Sequence, residues 1–215
     1  MMGVADPTLD FEHSLLAQGA TSVIGCDEVG RGALAGPVAV GVAVMNATVA
    51  PLPLGIRDSK MLSEPRRELL APVAVAWALH SAVGLASALE VDEIGLIAAL
   101  GLAGKRALGE LHRSGVDIRR SVVVLDGDSD YLNKVMRRPL NVVTRVKADR
   151  DCGSVAAASV IAKVHRDRLM IDAHAVTPDY GWASNKGYGS TDHMDAITRF
   201  GPHELHRKSW LKMSA

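Results

Sequence analysis

Two long stretches of the sequence carry no formal charge, and they limit the folds that are open to the chain. One covers 32–56 and the other 69–89, which is 25 and 21 residues. An apolar stretch of about 20 residues either spans a membrane or is buried in a protein core. Both stretches contain Pro and polar residues and consist mainly of Ala and Val. We therefore predict buried strands and an Ala-rich core helix, with no membrane partner.

Apolar runs of strand length alternate with runs of helical periodicity along the rest of the chain. The pattern predicts strands at 22–27, 37–45, 79–86, 122–126 and 140–146. It predicts helices at 8–18, 63–77, 91–112, 154–174 and about 191–200, with Ser63 capping the second of these. No repeat or long linker is present. We expect an α/β fold in one domain over 1–215, a mixed five-stranded sheet flanked by helices with a C-terminal helical segment.

The charges are balanced in total but unevenly distributed. The chain has 24 Lys and Arg against 24 Asp and Glu, and a neutral sum argues at first against a nucleic-acid partner. Residues 1–130 hold 10 basic and 16 acidic residues, a balance of −6, whereas 131–215 hold 14 and 8, a balance of +6. An acidic centre beside a basic surface therefore remains compatible with nucleic-acid binding.

The cysteine content bears on the compartment. Cys26 and Cys152 are too few for a disulfide framework or a four-cysteine zinc site, and the N-terminus lacks the pattern of a signal peptide. We expect reduced thiols in a cytoplasmic protein. In an extended strand Cys26 points away from the face of its neighbour Asp27, which predicts a packing role for the thiol.

Acidic residues follow two apolar strands. Asp27 and Glu28 end the first strand, and Asp126 ends the strand at 122–126. Parallel neighbouring strands would bring these acids to one edge of the sheet, where open α/β sheets place their sites. Carboxylates held this close repel one another unless a hard cation such as Mg²⁺ or Mn²⁺ binds between them. A single Asp before Gly is more often a turn residue, but the three together favour a metal site.

A glycine-rich turn with Gly30, Gly32 and Gly36 allows two functional interpretations. A dinucleotide-binding turn requires a helix to begin within the glycines, whereas here an apolar run typical of a strand follows Pro37. The alternative is a tight turn whose backbone approaches a substrate, with Arg31 as a phosphate partner. A turn without any function is the third possibility.

The last part of the chain contains basic and aromatic residues. The segment 185–191 reads N-K-G-Y-G-S-T, in which Tyr188 could stack on a base or a sugar, or could close a loop over the core. A second cluster at 203–210 contains His, Arg, Lys and Trp. This cluster is either part of a nucleic-acid surface or a solvated charged tail.

Seven motifs in order resemble those of ribonuclease HII, the type 2 ribonuclease H family. They are G-C-D-E-V-G-R-G-A-L-A-G-P at 25–37, R-D-S-K-M-L-S at 57–63, V-L-D-G at 124–127, K-A-D at 147–149, S-V-A-A-A-S-V-I-A-K-V-H-R-D-R at 154–168, N-K-G-Y-G-S at 185–190 and H-R-K-S-W at 206–210. The opening at 7–16 is similar to the actinobacterial branch. The chain departs from the family pattern at Ala33, Ala148 and Trp210, none of which removes a functional group.

The resemblance implies a ribonuclease H-like fold with a catalytic, metal-binding set of four carboxylates, Asp27, Glu28, Asp126 and Asp149. Asp151 is as near in sequence as Asp149, but the distance from Asp149 to the Ala-Ala-Ser at 157–159 matches the family. The resemblance also implies substrate contacts by Gly30, Arg31, Gly32, Lys60 and Tyr188. Among these, Lys60 is expected to contact a phosphate, and the backbone of the glycine turn together with Tyr188 to recognise the ribonucleotide.

The implied activity is that of an endoribonuclease. It cuts the phosphodiester 5′ to a ribonucleotide, in RNA/DNA hybrids or at ribonucleotides embedded in duplex DNA, and leaves a 3′-hydroxyl and a 5′-phosphate by two-metal-ion catalysis. Its role would be to remove misincorporated ribonucleotides and RNA primers, as a monomer with 178–215 as a substrate-binding segment. Three alternatives remain: a junction resolvase-like nuclease of the same fold, a non-catalytic nucleic-acid-binding module, and a nucleotide-cofactor enzyme.

Overall fold

The computed structural model describes residues 6–211, so the last four residues of the predicted segment 178–215 lie outside it. Its centre is a five-stranded sheet in the order β3-β2-β1-β4-β5. Strand β1 pairs antiparallel with β2 and parallel with β4, while β2–β3 is antiparallel and β4–β5 parallel. The predicted mixed sheet is confirmed. The strands are β1 (Ser22–Val29), β2 (Val38–Met45), β3 (His80–Ala86), β4 (Ser121–Asp126) and β5 (Val142–Arg145).

Eight helices surround this sheet in the described part of the chain. They are α1 (Asp10–Ala17), α2 (Glu64–Trp77), α3 (Ala88–Ile94), α4 (Leu96–Arg113), α5 (Ala148–Asp151), α6 (Gly153–Val176), α7 (Trp182–Asn185) and α8 (Thr191–Phe200). The prediction of a single helix over 91–112 is wrong, because two helices, α3 and α4, cover this range. Gly95 has a φ of +78° and separates α3 from α4, while the apolar periodicity continues across the break. Ser63 lies at the predicted N-cap of α2, but its side chain makes no capping hydrogen bond.

Helix α6 packs on one face of the sheet through glycines in strands β1 and β2. A Cβ placed on Gly25 of β1 would lie 2.2 Å from the backbone carbon of Ser154, and one on Gly41 of β2 would lie 2.6 Å from the carbonyl oxygen of Ala158. Any side chain at these positions would force helix and sheet apart. The glycines thereby fix the distance between α6 and the strands β1 and β2, of which β1 carries Asp27 and Glu28.

The other face of the sheet is covered by α4. A Cβ on Gly84 of β3 would approach the carbonyl oxygen of Ala103 to 1.9 Å, so this contact is equally close. Cys26 is buried in the core on this side, as predicted from strand alternation, and both cysteines are unpaired. The two uncharged stretches contribute β2, β3 and much of α2. Among residues 6–211, no helix is both long and apolar enough to cross a membrane.

Candidate active site

Four carboxylates lie near the same end of strands β1 and β4, which pair in parallel. Asp27 and Glu28 are among the last three residues of β1, just before the glycine turn, and Asp126 is the last residue of β4. Asp149 is in α5, which follows β5, and its backbone N–H donates to Asp126 Oδ1 at 3.3 Å. Asp151 is instead exposed and pairs with Arg145. The fold therefore places the four acids that the resemblance implies near one end of β1 and β4, and Asp151 points away from them into a separate ion pair.

Strand alternation gives Asp27 and Glu28 different surroundings. Asp27 is buried against α6, beside Ser159, whose hydroxyl donates to Ser59 Oγ at 2.9 Å. Glu28 is half-buried and receives hydrogen bonds from the Tyr131 hydroxyl at 3.2 Å and from Arg31 at 3.1 Å. Neither Ser159 nor Tyr131 was identified as a site residue from the sequence, although Ser159 belongs to the Ala-Ala-Ser motif used to select Asp149.

Burial makes the charged forms of Asp27, Glu28 and Asp126 unfavourable. It raises the pKa of Asp27 well above its usual value, and the charge of Glu28 adds to the effect. Burial also raises the pKa of Glu28 despite the opposing influence of Arg31. For Asp126, burial and the neighbouring charge of Asp149 both raise the pKa. Mutual repulsion in a dry environment is the condition under which a bound cation has most to contribute.

Lys60 lies against the acids from the loop before α2. Its Nζ is 2.9 Å from Asp149 Oδ2 and 3.8 Å from Asp58 Oδ1. Burial lowers the pKa of Lys60, but the hydrogen bond that Lys60 donates to Asp149 and the charge of Asp27 outweigh this, and the pKa is raised overall. With Lys60 paired to Asp149, no group of three His, Cys, Asp or Glu side chains among the described residues has the geometry of a preformed metal site. The Lys60 ammonium thus offsets part of the negative charge.

The glycine turn follows β1 directly. Gly30 is buried with a φ of +81°, whereas Gly32 is exposed and has no atom within 4 Å of the position its Cβ would take. The chain continues into strand β2 and not into a helix. A dinucleotide-binding turn is therefore excluded, because no helix N-terminus meets the glycines. The turn instead presents backbone and the exposed Arg31 beside Glu28.

Two fully buried arginines support this turn, and sequence reasoning missed both of them as site residues. Arg166 of α6 and Arg207 donate to main-chain carbonyl oxygens, six in all, of Gly30, Arg31, Ala35, Gly36, Pro37 and Lys186. Arg207 and His206 are buried, so both interpretations of the 203–210 cluster are wrong for these two residues. Only the tertiary structure brings them to a turn more than 100 residues away.

The loop that carries Tyr188 packs on the same turn. The carbonyl oxygen of Gly187 accepts hydrogen bonds from the backbone N–H groups of Leu34 and Ala35, at 2.8 and 3.1 Å. The half-buried Tyr188 ring has the Arg166 guanidinium 5.4 Å from its centroid and Lys163 Nζ at 5.7 Å. The two segments to which the resemblance assigns substrate binding are therefore in direct contact, and the turn adjoins Glu28 through Arg31.

Solved structures share this architecture. Bst-RNase HIII in complex with Mn²⁺ matches with a TM-score of 0.69 and 25% identity over 91% of this chain and 67% of that one. The RNase HII of the PCNA:RNase HII complex from Archaeoglobus fulgidus matches with a TM-score of 0.67 and 25% identity over 90% and 96%. The class of protein follows from the order of the strands, from the carboxylates near one end of β1 and β4, and from these similarities. It is a hydrolase with a ribonuclease H-like fold.

The family follows from two further comparisons. The family model Ribonuclease HII matches residues 24–213. A ribonuclease HII of Streptomyces griseus is 45% identical over 213 residues, which cover 97% of this chain and 86% of the relative. The chain belongs to the ribonuclease HII family and is a ribonuclease H endonuclease. This assignment favours neither a junction resolvase nor a non-catalytic binding module.

Proposed function

We propose that the protein hydrolyses the phosphodiester on the 5′ side of a ribonucleotide, in RNA/DNA hybrids and at single ribonucleotides in duplex DNA. Water attacks phosphorus, the bond to the 3′-oxygen breaks, and the products carry a 3′-hydroxyl and a 5′-phosphate. The observation that carries this proposal is the position of four carboxylates near one end of β1 and β4, beside the glycine turn and the Tyr188 loop: Asp27, Glu28, Asp126 and Asp149. Removal of misincorporated ribonucleotides and RNA primers is the corresponding role.

The four carboxylates would hold two divalent cations, Mg²⁺ or Mn²⁺. Their oxygen donors suit hard cations, and the pKa values of Asp27, Glu28 and Asp126 are raised by burial first and by neighbouring negative charge second, both of which a bound cation would offset. When bound, the cations supply charge stabilisation and an activated water for the hydrolysis. The Tyr131 hydroxyl orients Glu28, and Ser159 lies beside Asp27. Lys60 would exchange its ion pair with Asp149 for a contact to a substrate phosphate.

The glycine turn and Tyr188 would select the ribonucleotide. Gly32 is exposed and has free space at its Cβ position, so its backbone can approach the 2′-hydroxyl that distinguishes RNA from DNA. Tyr188 would pack on the neighbouring sugar, held by its loop contacts to the turn. Arg31 is exposed and lies within reach of a phosphate. The segment 178–215 thus serves as the substrate-binding part of one catalytic domain, which acts as a monomer in the cytoplasm.

The test uses a DNA duplex with one embedded ribonucleotide, with and without Mg²⁺ or Mn²⁺, and maps the cut. We expect one cut 5′ to the ribonucleotide that depends on the cation. Asp126→Asn should abolish cleavage and still bind the duplex in Ca²⁺, because the amide cannot supply the charge of a carboxylate ligand. Full Mg²⁺-dependent cleavage by Asp126→Asn would refute the assignment of the site.

A second variant addresses substrate selection. Tyr188→Ala should lose activity mainly on the single embedded ribonucleotide, since a long hybrid offers many more backbone contacts. The same reactions are run on a hybrid duplex of equal length as the matched control. Equal losses on both substrates would argue against a role of Tyr188 in recognising the ribonucleotide.

A further inference from the structure

Two buried histidines stand behind the Tyr188 loop and are outside the catalytic set. His193 of α8 and His206 are 0% and 1% exposed, and their Nε2 atoms are 3.0 Å apart. His193 Nδ1 lies 2.8 Å from the carbonyl oxygen of Tyr188. The indole N–H of the buried Trp182 lies 3.1 Å from His193 Nε2. The carbonyl of the proposed sugar-contacting residue is thus the end of a hydrogen-bond chain.

The positions of the protons in this chain follow from its fixed donors. The backbone N–H of His203 donates to His206 Nδ1 at 2.8 Å, so the proton of neutral His206 is on Nε2. That proton points at His193 Nε2, which also receives the Trp182 N–H and must therefore be an acceptor. The proton of His193 is then on Nδ1, where it is donated to the Tyr188 carbonyl. Only this pair of neutral tautomers satisfies every contact.

The same carbonyl also accepts from the backbone N–H of Ser190 at 2.9 Å, so two donors fix its direction. The peptide group that they hold joins Tyr188 to Gly189, whose missing side chain would otherwise leave this part of the loop free to rotate. Desolvation disfavours the imidazolium form of both histidines, which keeps the chain neutral. A proton added to His193 Nε2 would face two donors.

We propose that His193 is a positioning residue, which orients Tyr188 for substrate by donating from Nδ1 to its carbonyl oxygen, with Trp182 and His206 fixing the tautomer. This inference rests on the proposed function, because Tyr188 matters only if it contacts the substrate sugar. The ligand of the positioned ring is a ribose or deoxyribose in duplex nucleic acid. The histidines themselves do not touch the substrate.

Two substitutions separate the donor from the mere presence of a side chain. His193→Asn keeps an N–H near the position of Nδ1, whereas His193→Gln keeps an acceptor near the position of Nε2 and lacks that donor. Both are measured for KM and kcat on the duplex with one ribonucleotide, in the wild-type and Tyr188→Ala backgrounds. We expect His193→Gln to raise KM about three- to tenfold, the equivalent of one hydrogen bond. His193→Asn should stay near wild type.

The double variants show whether the effect passes through Tyr188. In the Tyr188→Ala background His193→Gln should cause no further rise in KM, since the ring that it positions is gone. Equal losses in His193→Asn and His193→Gln, or the same rise in both backgrounds, would overturn the inference. Absence of cleavage by the wild type would instead remove the proposed function and this inference with it. A Tyr188→Ala variant with unchanged KM would remove the proposed substrate contact of Tyr188 and this inference, but not the proposed cleavage.

A measurement on the wild type decides the matter if the Gln variant does not fold. In protein labelled with ¹⁵N-histidine, long-range proton–nitrogen spectra distinguish the two neutral tautomers, and His193→Asn assigns the signal. We expect His193 at pH 7 to be neutral and protonated on Nδ1. Protonation on Nε2, or on both nitrogens, would contradict the hydrogen-bond chain and overturn the inference.

Discussion

The two glycines of the Gly30-Arg31-Gly32 turn should respond very differently to the addition of one methyl group. Gly30 is buried at a φ of +81°, and its Cβ would lie 2.1 Å from Arg166 Nε. An L-residue in the left-handed region costs roughly 1–2 kcal/mol. The guanidinium cannot simply move aside, because it donates to three carbonyl oxygens. Overpacking of this kind costs about 1–3 kcal/mol.

Gly30→Ala should therefore lower the free energy of unfolding by about 2–5 kcal/mol, the sum of these two costs. Gly32→Ala is the matched control. Its Cβ would meet nothing within 4 Å and its φ is not positive, so stability should stay within about 1 kcal/mol of wild type. Its methyl group would instead occupy the space in which we propose that the 2′-hydroxyl is read, and KM should rise.

The assay combines urea unfolding at equilibrium with cleavage kinetics on the duplex that contains one ribonucleotide. Gly30→Ala is expected to shift the unfolding midpoint, with an unchanged slope. Gly32→Ala is expected to change KM without shifting that midpoint. Equal losses of stability in both variants, or an unchanged midpoint for Gly30→Ala, would refute the separation of a structural from a substrate-facing glycine.

Two further predictions concern His206 and Tyr131. Burial and the neighbouring His193 lower the pKa of His206 to about 4, so its contribution to stability is complete above the unfolded pKa of about 6.5 and is lost as pH falls towards the folded one. Between pH 7 and pH 5 the free energy of unfolding of the wild type should therefore fall by more than that of His206→Gln. Equal decreases in the two proteins would contradict a lowered pKa of His206 in the folded state. Tyr131→Phe removes the hydroxyl 3.2 Å from Glu28. It should cost about 0.5–1.5 kcal/mol of stability and raise the Mn²⁺ concentration for half-maximal cleavage; an unchanged metal titration would show that Glu28 needs no such support.

The zero net charge of the chain was the least informative property of its sequence. Three of the proposed ligands, Asp27, Glu28 and Asp126, lie in the acidic part of the chain, and Asp149 lies in the basic part. Part of the basic charge is not on the surface at all, since Arg166 and Arg207 are fully buried on backbone carbonyls. A count of basic residues therefore overestimates the surface available to phosphate, because it ignores burial.

Local patterns were enough to predict the sheet and the position of Asp27, Glu28 and Asp126 at the ends of two strands. Strand alternation put Cys26 in the core, since the direction of side chains in a strand depends on the backbone alone. The acids were placed at the ends of β1 and β4 because they directly follow apolar runs of strand length. The selection of Asp149 over Asp151 needed the resemblance to ribonuclease HII. The break at Gly95 was missed, because a glycine with positive φ can interrupt a helix without disturbing its apolar periodicity.

Patterns and motifs along the chain predict the mixed sheet, the glycine turn, the acids that follow the strands, and the family. Tertiary structure alone decided what supports them. Arg166 and Arg207 hold the turn from more than 100 residues away, and His193 and His206 form one neutral chain behind Tyr188. The physical reason is that hydrogen-bond partners and tautomers depend on which atoms folding brings within about 3 Å, and this information is not contained in local residue patterns.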